Sequence, residues 1–259
     1  MFYVLQALWK REIIKFVRDR SRVIGALAQP IVFWLLLGLG FQRSFALPGV
    51  DTASVNYLEY LFPGIIALMI LFTAIFSTIS IVEERKSGFL QAALIAPISR
   101  TSFVFGTTLG GTTLVLLQTL LLLLLLPAIG HVPSFAGFLV IALTCFLTGL
   151  SFTALGVSIA WIMSTTRGFH AIMNLFLLPL WMLSGAFFPY AGASRVLQWF
   201  ILLNPVSYAV DALRIGMYMP GEVPETLQSL PVSLLITALF AAFTIGVAVW
   251  VIRRPMFKA

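Results

Sequence analysis

Six long apolar runs decide what this chain can fold into. They cover roughly residues 23–42, 58–82, 103–127, 135–163, 169–188 and 231–252. A helix needs about 20 apolar residues to cross the hydrocarbon of a bilayer, and each run has that length. Inside a bilayer the backbone must satisfy its own hydrogen bonds, so helices are the spanning form open to such runs. Alternating strands of about ten residues, the signature of a membrane barrel, are absent. Composition agrees. Of 259 residues, 60% are apolar and 10% charged. A soluble domain carries roughly a quarter charged residues, so this chain lacks the charge for a water-facing surface. It is far too apolar to be disordered. The expectation is an all-α integral membrane protein with six transmembrane helices.

The first 22 residues are different. As a helix they put Leu5, Leu8, Trp9, Ile13 and Phe16 on one face and Arg11, Lys15, Arg18 and Arg22 on another. Such a helix lies in the membrane interface with its basic face toward anionic headgroups. A plain juxtamembrane anchor and an arm that also meets a cytoplasmic partner are equally compatible with this pattern. No cleavable signal peptide is expected, because the first apolar run follows this basic arm and no small-residue cleavage site comes after it. Residues 23–259 then read as one six-helix domain.

Lysines and arginines fix the expected orientation. With six spans both termini share a side. That side holds Lys10, Arg11, Lys15, Arg18, Arg20, Arg22, Arg85, Lys86, Arg100, Arg167, Arg253, Arg254 and Lys258, against Arg43, Arg195 and Arg214 on the other. Thirteen against three predicts cytoplasmic termini. It also removes nucleic acid as a partner, since the net charge of +7 is spread as topology marks and not gathered in a groove-sized patch.

Enzyme chemistry finds little footing. No lysine follows a glycine anywhere, so there is no phosphate-binding loop and no ATP site is expected in this chain. His131 and His170 sit in different segments without partners at metal-ligand spacing, and the lone Cys145 excludes an intrachain disulfide. No catalytic residue, cofactor site or metal site is predicted. No pair of carboxylates falls within a span, which disfavours a membrane hydrolase or a proton pump.

Two breaks between spans stand out. After the second run the chain reads Glu83-Glu84-Arg85-Lys86-Ser87-Gly88-Phe89-Leu90 and continues as a short apolar helix that Pro97 stops. That helix is too short to span. It reads either as a docking element for a soluble partner or as a polar turn that enforces topology. The second is the segment after the fifth run. Gly185 and Pro189 end the run, and Leu203-Asn204-Pro205 breaks one short helix and starts another that carries Tyr208, Asp211 and Arg214. Broken helices at membrane depth are tolerated only when buried in protein or lining a watery cavity. Asp211 and Arg214 are three apart and can pair on one helical face. A local brace between two re-entrant helices is the plainer reading, and contact with cargo the sharper one.

Taken in order, these segments resemble the permease subunits of type-2 ABC exporters, with most similarity to the short drug- and lipo-oligosaccharide-type members. The resemblance covers nearly the whole chain and rests on four parts. They are the amphipathic arm, Tyr57 through Gly64 opening the second span, the Glu-Arg-x-x-Gly break running to Pro97, and Leu203-Asn204-Pro205 with Asp211 to Arg214. It implies a half-transporter of the bacterial inner membrane. A second permease copy, as a homodimer, would complete the path, and two ABC ATPase subunits below would bind the ATP and magnesium. Residues 83–97 would be the coupling helix. Trp9, Arg11, Lys15 and Arg18 would belong to an interface helix that also touches the ATPase. Residues 190–218 would be paired re-entrant helices shaping an external gate. The inner wall would come from spans one, two and five, where Phe33, Trp34, Phe72, Phe76, Phe176, Trp181 and Met182 suggest an amphiphilic or aromatic cargo. Ordinary packing or lipid-facing bulk is the commoner role for such residues. Two rival classes stay open at this point, a lipid-modifying membrane enzyme and a non-transporting membrane scaffold.

Overall fold

The computed structural model describes residues 2–18, 20–41, 57–88, 99–129, 132–221, 223 and 226–253. Among the described residues every regular element is helical. Helix α1 is Phe2–Arg18, α2 Arg20–Phe41, α3 Tyr57–Ser77, α4 Ile79–Lys86 and α5 Arg100–Leu123. Helix α6 is Phe135–Ile162, α7 Thr166–Trp181, α8 Arg195–Leu203, α9 Pro205–Tyr218 and α10 Leu230–Arg253.

Six of these elements are long and apolar enough to cross a membrane, with α3 and α4 running together as Tyr57–Lys86. The six expected runs and the six helices coincide closely. The last elements before the final span, α8 and α9, meet at 84° across Asn204. This is the broken pair expected from Asn204-Pro205.

Span two is the axis of the bundle. Its apolar window is 89% buried, against 19% for α2 and 33% for α10. Helices α2, α5, α6, α7 and α9 all pack against α3. Helix α6 is the second hub, touching α10, α5, α9 and α3. The apolar faces that α2, α7 and α10 leave uncovered suit hydrocarbon, where no hydrophobic force drives them inward. Small and hydroxylated residues line the inner contacts. Ser77, Thr153 and Gly111 meet where α3, α5 and α6 converge.

The two ends of the bundle are built differently. At one end α1 lies against the start of α5. Side chains there approach the backbone closely: a Cβ at Gly106 would lie 2.7 Å from Leu8 Cβ, and one at Gly110 2.7 Å from Glu12 Cβ. The two glycines, four apart, form the trough that seats α1. The carbonyl ends of two spans at this end are capped by arginines. Arg85 donates to the carbonyls of Met163, at 2.8 Å, and of Ala160 and Trp161 at the end of α6. Arg100 donates to Ile252 and Arg253 at the end of α10, at 3.0 and 2.8 Å. A cation there meets unpaired carbonyls and the negative end of the helix dipole. The opposite end carries the α8–α9 pair, with α9 buried against α6, α10 and α3.

Candidate functional site

Three groupings of side chains stand out, one at each end of the bundle and one cavity between spans.

At the basic end, Glu84 gathers α1 onto span two. Its carboxylate accepts from Lys15 Nζ and lies 3.3 Å from an Arg11 nitrogen. The Glu84 side chain is only 10% exposed. Beside it, Glu12 is buried, pairs with Arg11 at 2.7 Å and accepts a 3.5 Å hydrogen bond from Ser80 Oγ. Trp9 Nε1 donates to Thr113 Oγ1 at 2.9 Å, tying the same helix to α5. So two of the four arm cations expected to face headgroups or a partner are turned inward onto Glu84. Arg18, the third, remains exposed, as does Lys10, and the Arg22 side chain lies outside the described residues.

The polar break itself divides its labour. Glu84 and Arg85 serve internal contacts, whereas Glu83, Lys86 and Ser87 are exposed. Ser87 and Gly88 close α4. Their amides donate to the carbonyls of Glu83 and Arg85, and Gly88 has φ +74°. That left-handed cap is why glycine suits this position. The rest of the expected coupling segment, with Phe89, Leu90 and Pro97, lies outside the described residues, as does His131.

At the other end, the fifth span unwinds into a π-helical turn at Met182–Ala186, with Gly185 at φ +73°. Asn204 ties that turn to α9. Its Nδ2 donates to the carbonyls of Leu180 and Leu183 at 2.6 and 3.0 Å, while its Oδ1 accepts from Val206 N at 2.9 Å. Pro205 occupies the first turn of α9, where its missing N–H costs nothing. Tyr208 closes the corner by donating to Leu202 O at 2.8 Å. Pro189 is half-buried in the link to α8.

Asp211 and Arg214 share a face of α9, and each also holds another part of the chain. The Asp211 carboxylate accepts from Leu227 N and Gln228 N at 2.8–3.0 Å, holding the approach to the last span. Arg214 lies over the ring of Tyr60, 4.3 Å from its centroid, and donates to Gly185 O at 3.3 Å. Tyr60 donates to the same carbonyl at 3.3 Å, and Tyr57 to Phe187 O at 3.5 Å. Trp181 Nε1 donates to Gly64 O at 2.6 Å. The Tyr57–Gly64 opening and the Gly185–Arg214 region, distant in sequence, therefore form one polar clamp.

Between the ends, a cavity of about 340 Å³ opens among α2, α3, α4 and α7 beside Phe16 of α1. Phe72, Phe76, Leu68, Met69 and Thr73 line it, with Glu83 and His170 at its polar edge. The His170 ring stacks on Phe76 with centroids 4.9 Å apart. The aromatic residues expected along the inner wall thus separate. Phe72 and Phe76 reach the cavity. Trp34 is buried and hydrogen-bonded to Leu58 O, and Trp181 is buried, with Phe33 against its edge. Phe176 on α7 and Met182, which opens the π-helical turn, are exposed.

Two buried polar residues escape a pattern reading. Glu12 sits within the apolar stripe of α1, four residues after Leu8 and four before Phe16. Gln118 sits in the leucine-rich half of α5 and accepts a 2.5 Å hydrogen bond from Thr73. A polar side chain in an apolar stripe is the available signal for both.

Six spanning helices around a buried axis, with a broken helix pair at one end, define a multi-pass helical membrane protein. Residues 3–218 match the family described as ABC-2 type transporter. The chain belongs to that family and is a membrane transport protein. It is 27% identical over 219 residues to a putative transport permease, ycf38, of Cyanophora paradoxa, covering 82% of this chain and 74% of the relative. It is 25% identical over 214 residues to nodulation protein J of Sinorhizobium fredii, covering 82% of this chain and 80% of that protein.

Proposed function

We propose that this chain is the permease half of an ATP-driven exporter that moves an amphiphilic or hydrophobic cargo out of the cytoplasm or inner leaflet. The observation that carries the reading is the Glu84 cluster. It binds the amphipathic arm to the base of the buried axial span, beside the break that leads into the expected coupling segment. A push delivered there reaches α1 and α3 together. Family membership and relatives named as transport permeases support the same reading.

In this account two ABC ATPase subunits bind ATP and magnesium and press on residues 83–97. Trp9 and Arg18 of α1 lie within the same contact region, and a second copy of this chain completes the path as a homodimer. Glu84, Arg11 and Lys15 carry the displacement into α3. At the far end Asn204, Arg214 and Gly185 hold the unwound turn as an outer gate and Asp211 ties α9 to the approach to the last span, so an axial shift of α3 bears on the gate through Tyr57, Tyr60 and Gly64. The bias of thirteen basic residues to three supports cytoplasmic termini and an inner-membrane setting.

The test is co-expression with a candidate ABC ATPase, co-purification, and dye or lipid export from inverted vesicles. The expected result is a stable complex and export that requires ATP. A complex that forms and hydrolyses ATP yet moves nothing argues for a membrane scaffold instead.

A further inference from the structure

We propose that the cavity between α2, α3 and α7 selects cargo bearing a protonated amine on an apolar or aromatic body, with Glu83 as its counter-charge. This rests on the exporter reading and adds a substrate class to it. Glu83 and Glu84 are neighbours in opposite circumstances. Glu84 is enclosed and takes both Arg11 and Lys15. Glu83 lines the cavity, is exposed, and makes no ion pair or side-chain hydrogen bond among the described residues. Cations are plentiful at this end of the bundle, so an unneutralised carboxylate there is notable. Arg11 and Lys15 are turned to Glu84, and Arg85 to the carbonyls that end α6. Lys86, one turn along from Glu83, forms no ion pair with it.

The remaining wall suits the same ligand. Phe16, Phe72 and Phe76 surround the space with aromatic rings, and Leu68 and Met69 supply an apolar floor. Aromatic faces attract cations, most strongly where water is thinned. A cavity of about 340 Å³ is the size of a small-molecule site. An anionic amphiphile meets repulsion from Glu83, and a neutral one gains only the apolar floor. An amine-bearing membrane lipid and a soluble cationic amphiphile present the same chemistry, and the choice between them is left to the test.

The test is fluorescence polarisation on the purified full-length protein in nanodiscs of phosphatidylcholine. The probes are the cationic dye rhodamine 6G and the neutral dye Nile red. The expected result is saturable rhodamine 6G binding that Glu83→Gln weakens about five-fold, the worth of one partly exposed ion pair. Nile red binding stays unchanged in that variant and so reports an intact cavity. Phe76→Ala weakens both dyes. Raising salt weakens rhodamine 6G alone, which tests the charge without any substitution. Loss of rhodamine 6G binding on adding phosphatidylethanolamine identifies a lipid amine as the occupant, and no loss identifies a soluble cation. Equal affinities for the two dyes at every salt concentration, or rhodamine 6G binding indifferent to Glu83→Gln, overturns the proposal. Neither result touches the exporter reading, because no ATPase or transport step enters the measurement.

Discussion

Replacing Glu84 with alanine should release α1 from the bundle while leaving the spans in place. The magnitude follows from the enclosure of the pair. An exposed ion pair is worth about 1 kcal/mol or less, and breaking a buried one costs about 3–5 kcal/mol. Glu84 is enclosed, but Lys15 and Arg11 keep 38% and 23% of their side chains exposed, which places this cluster between the limits. We take about 2 kcal/mol, or roughly a thirty-fold rise in the open population of α1. Hydrogen exchange of α1 amides reads that population directly. Protection over Phe2–Arg18 should fall by about that factor while α6 and α10 are unchanged. The exchanged pair Lys15→Glu with Glu84→Lys should recover much of the loss, because the charges still meet. Unchanged α1 protection in Glu84→Ala would refute the clasp and leave the docking to Trp9, the Glu12–Ser80 contact and the α5 trough.

Other outcomes follow from the same contacts. Gly110→Ala sets a Cβ 2.7 Å from Glu12 Cβ and should cost about 1–3 kcal/mol of α1 docking, seen as faster proteolysis of the arm. Asn204→Ala removes the cap of α9 and two hydrogen bonds to the end of span five. It should destabilise by about 2 kcal/mol and lower the thermal midpoint in detergent. Gly88→Ala meets open space but a positive φ, so it should cost about 1 kcal/mol locally and disturb ATPase coupling more than folding. For orientation, in a Cys145→Ala background, Ser87→Cys should resist a membrane-impermeant thiol reagent applied from outside, and Ala191→Cys should react.

Much of the architecture was legible in the sequence because hydropathy fixes spans with little help from tertiary context. The break at Glu83–Gly88 and the Asn204-Pro205 corner were legible for a related reason. A run of four charges or an Asn-Pro pair ends a membrane helix here, whereas Pro30, Pro63 and Pro179 sit inside helices that continue. What joined these pieces was not legible. Lys15 and Glu84 are 69 residues apart, and nothing in the arm's pattern distinguishes a lysine facing headgroups from one facing a carboxylate. Arg85 read as one charge of a docking loop, yet its guanidinium caps a neighbouring helix. Asp211 and Arg214 have the spacing of an ion pair, and the backbone groups that each also meets are ones the i, i+3 rule cannot see. Glu12 and Gln118 did carry a signal, a polar residue inside an apolar stripe, but long-range approach alone decides what such a residue meets.

In the proposed mechanism Glu84 passes the stroke of an ATPase from the arm and coupling break into the axial span. ATP-driven cargo transport in proteoliposomes containing this permease and the proposed partner ATPase, with ATP hydrolysis measured in parallel, tests that role. Glu84→Gln should keep the complex assembled and hydrolysing ATP but lose cargo movement, and the Lys15→Glu with Glu84→Lys exchange should restore a substantial part of it. Wild-type transport per ATP hydrolysed in Glu84→Gln would contradict that role.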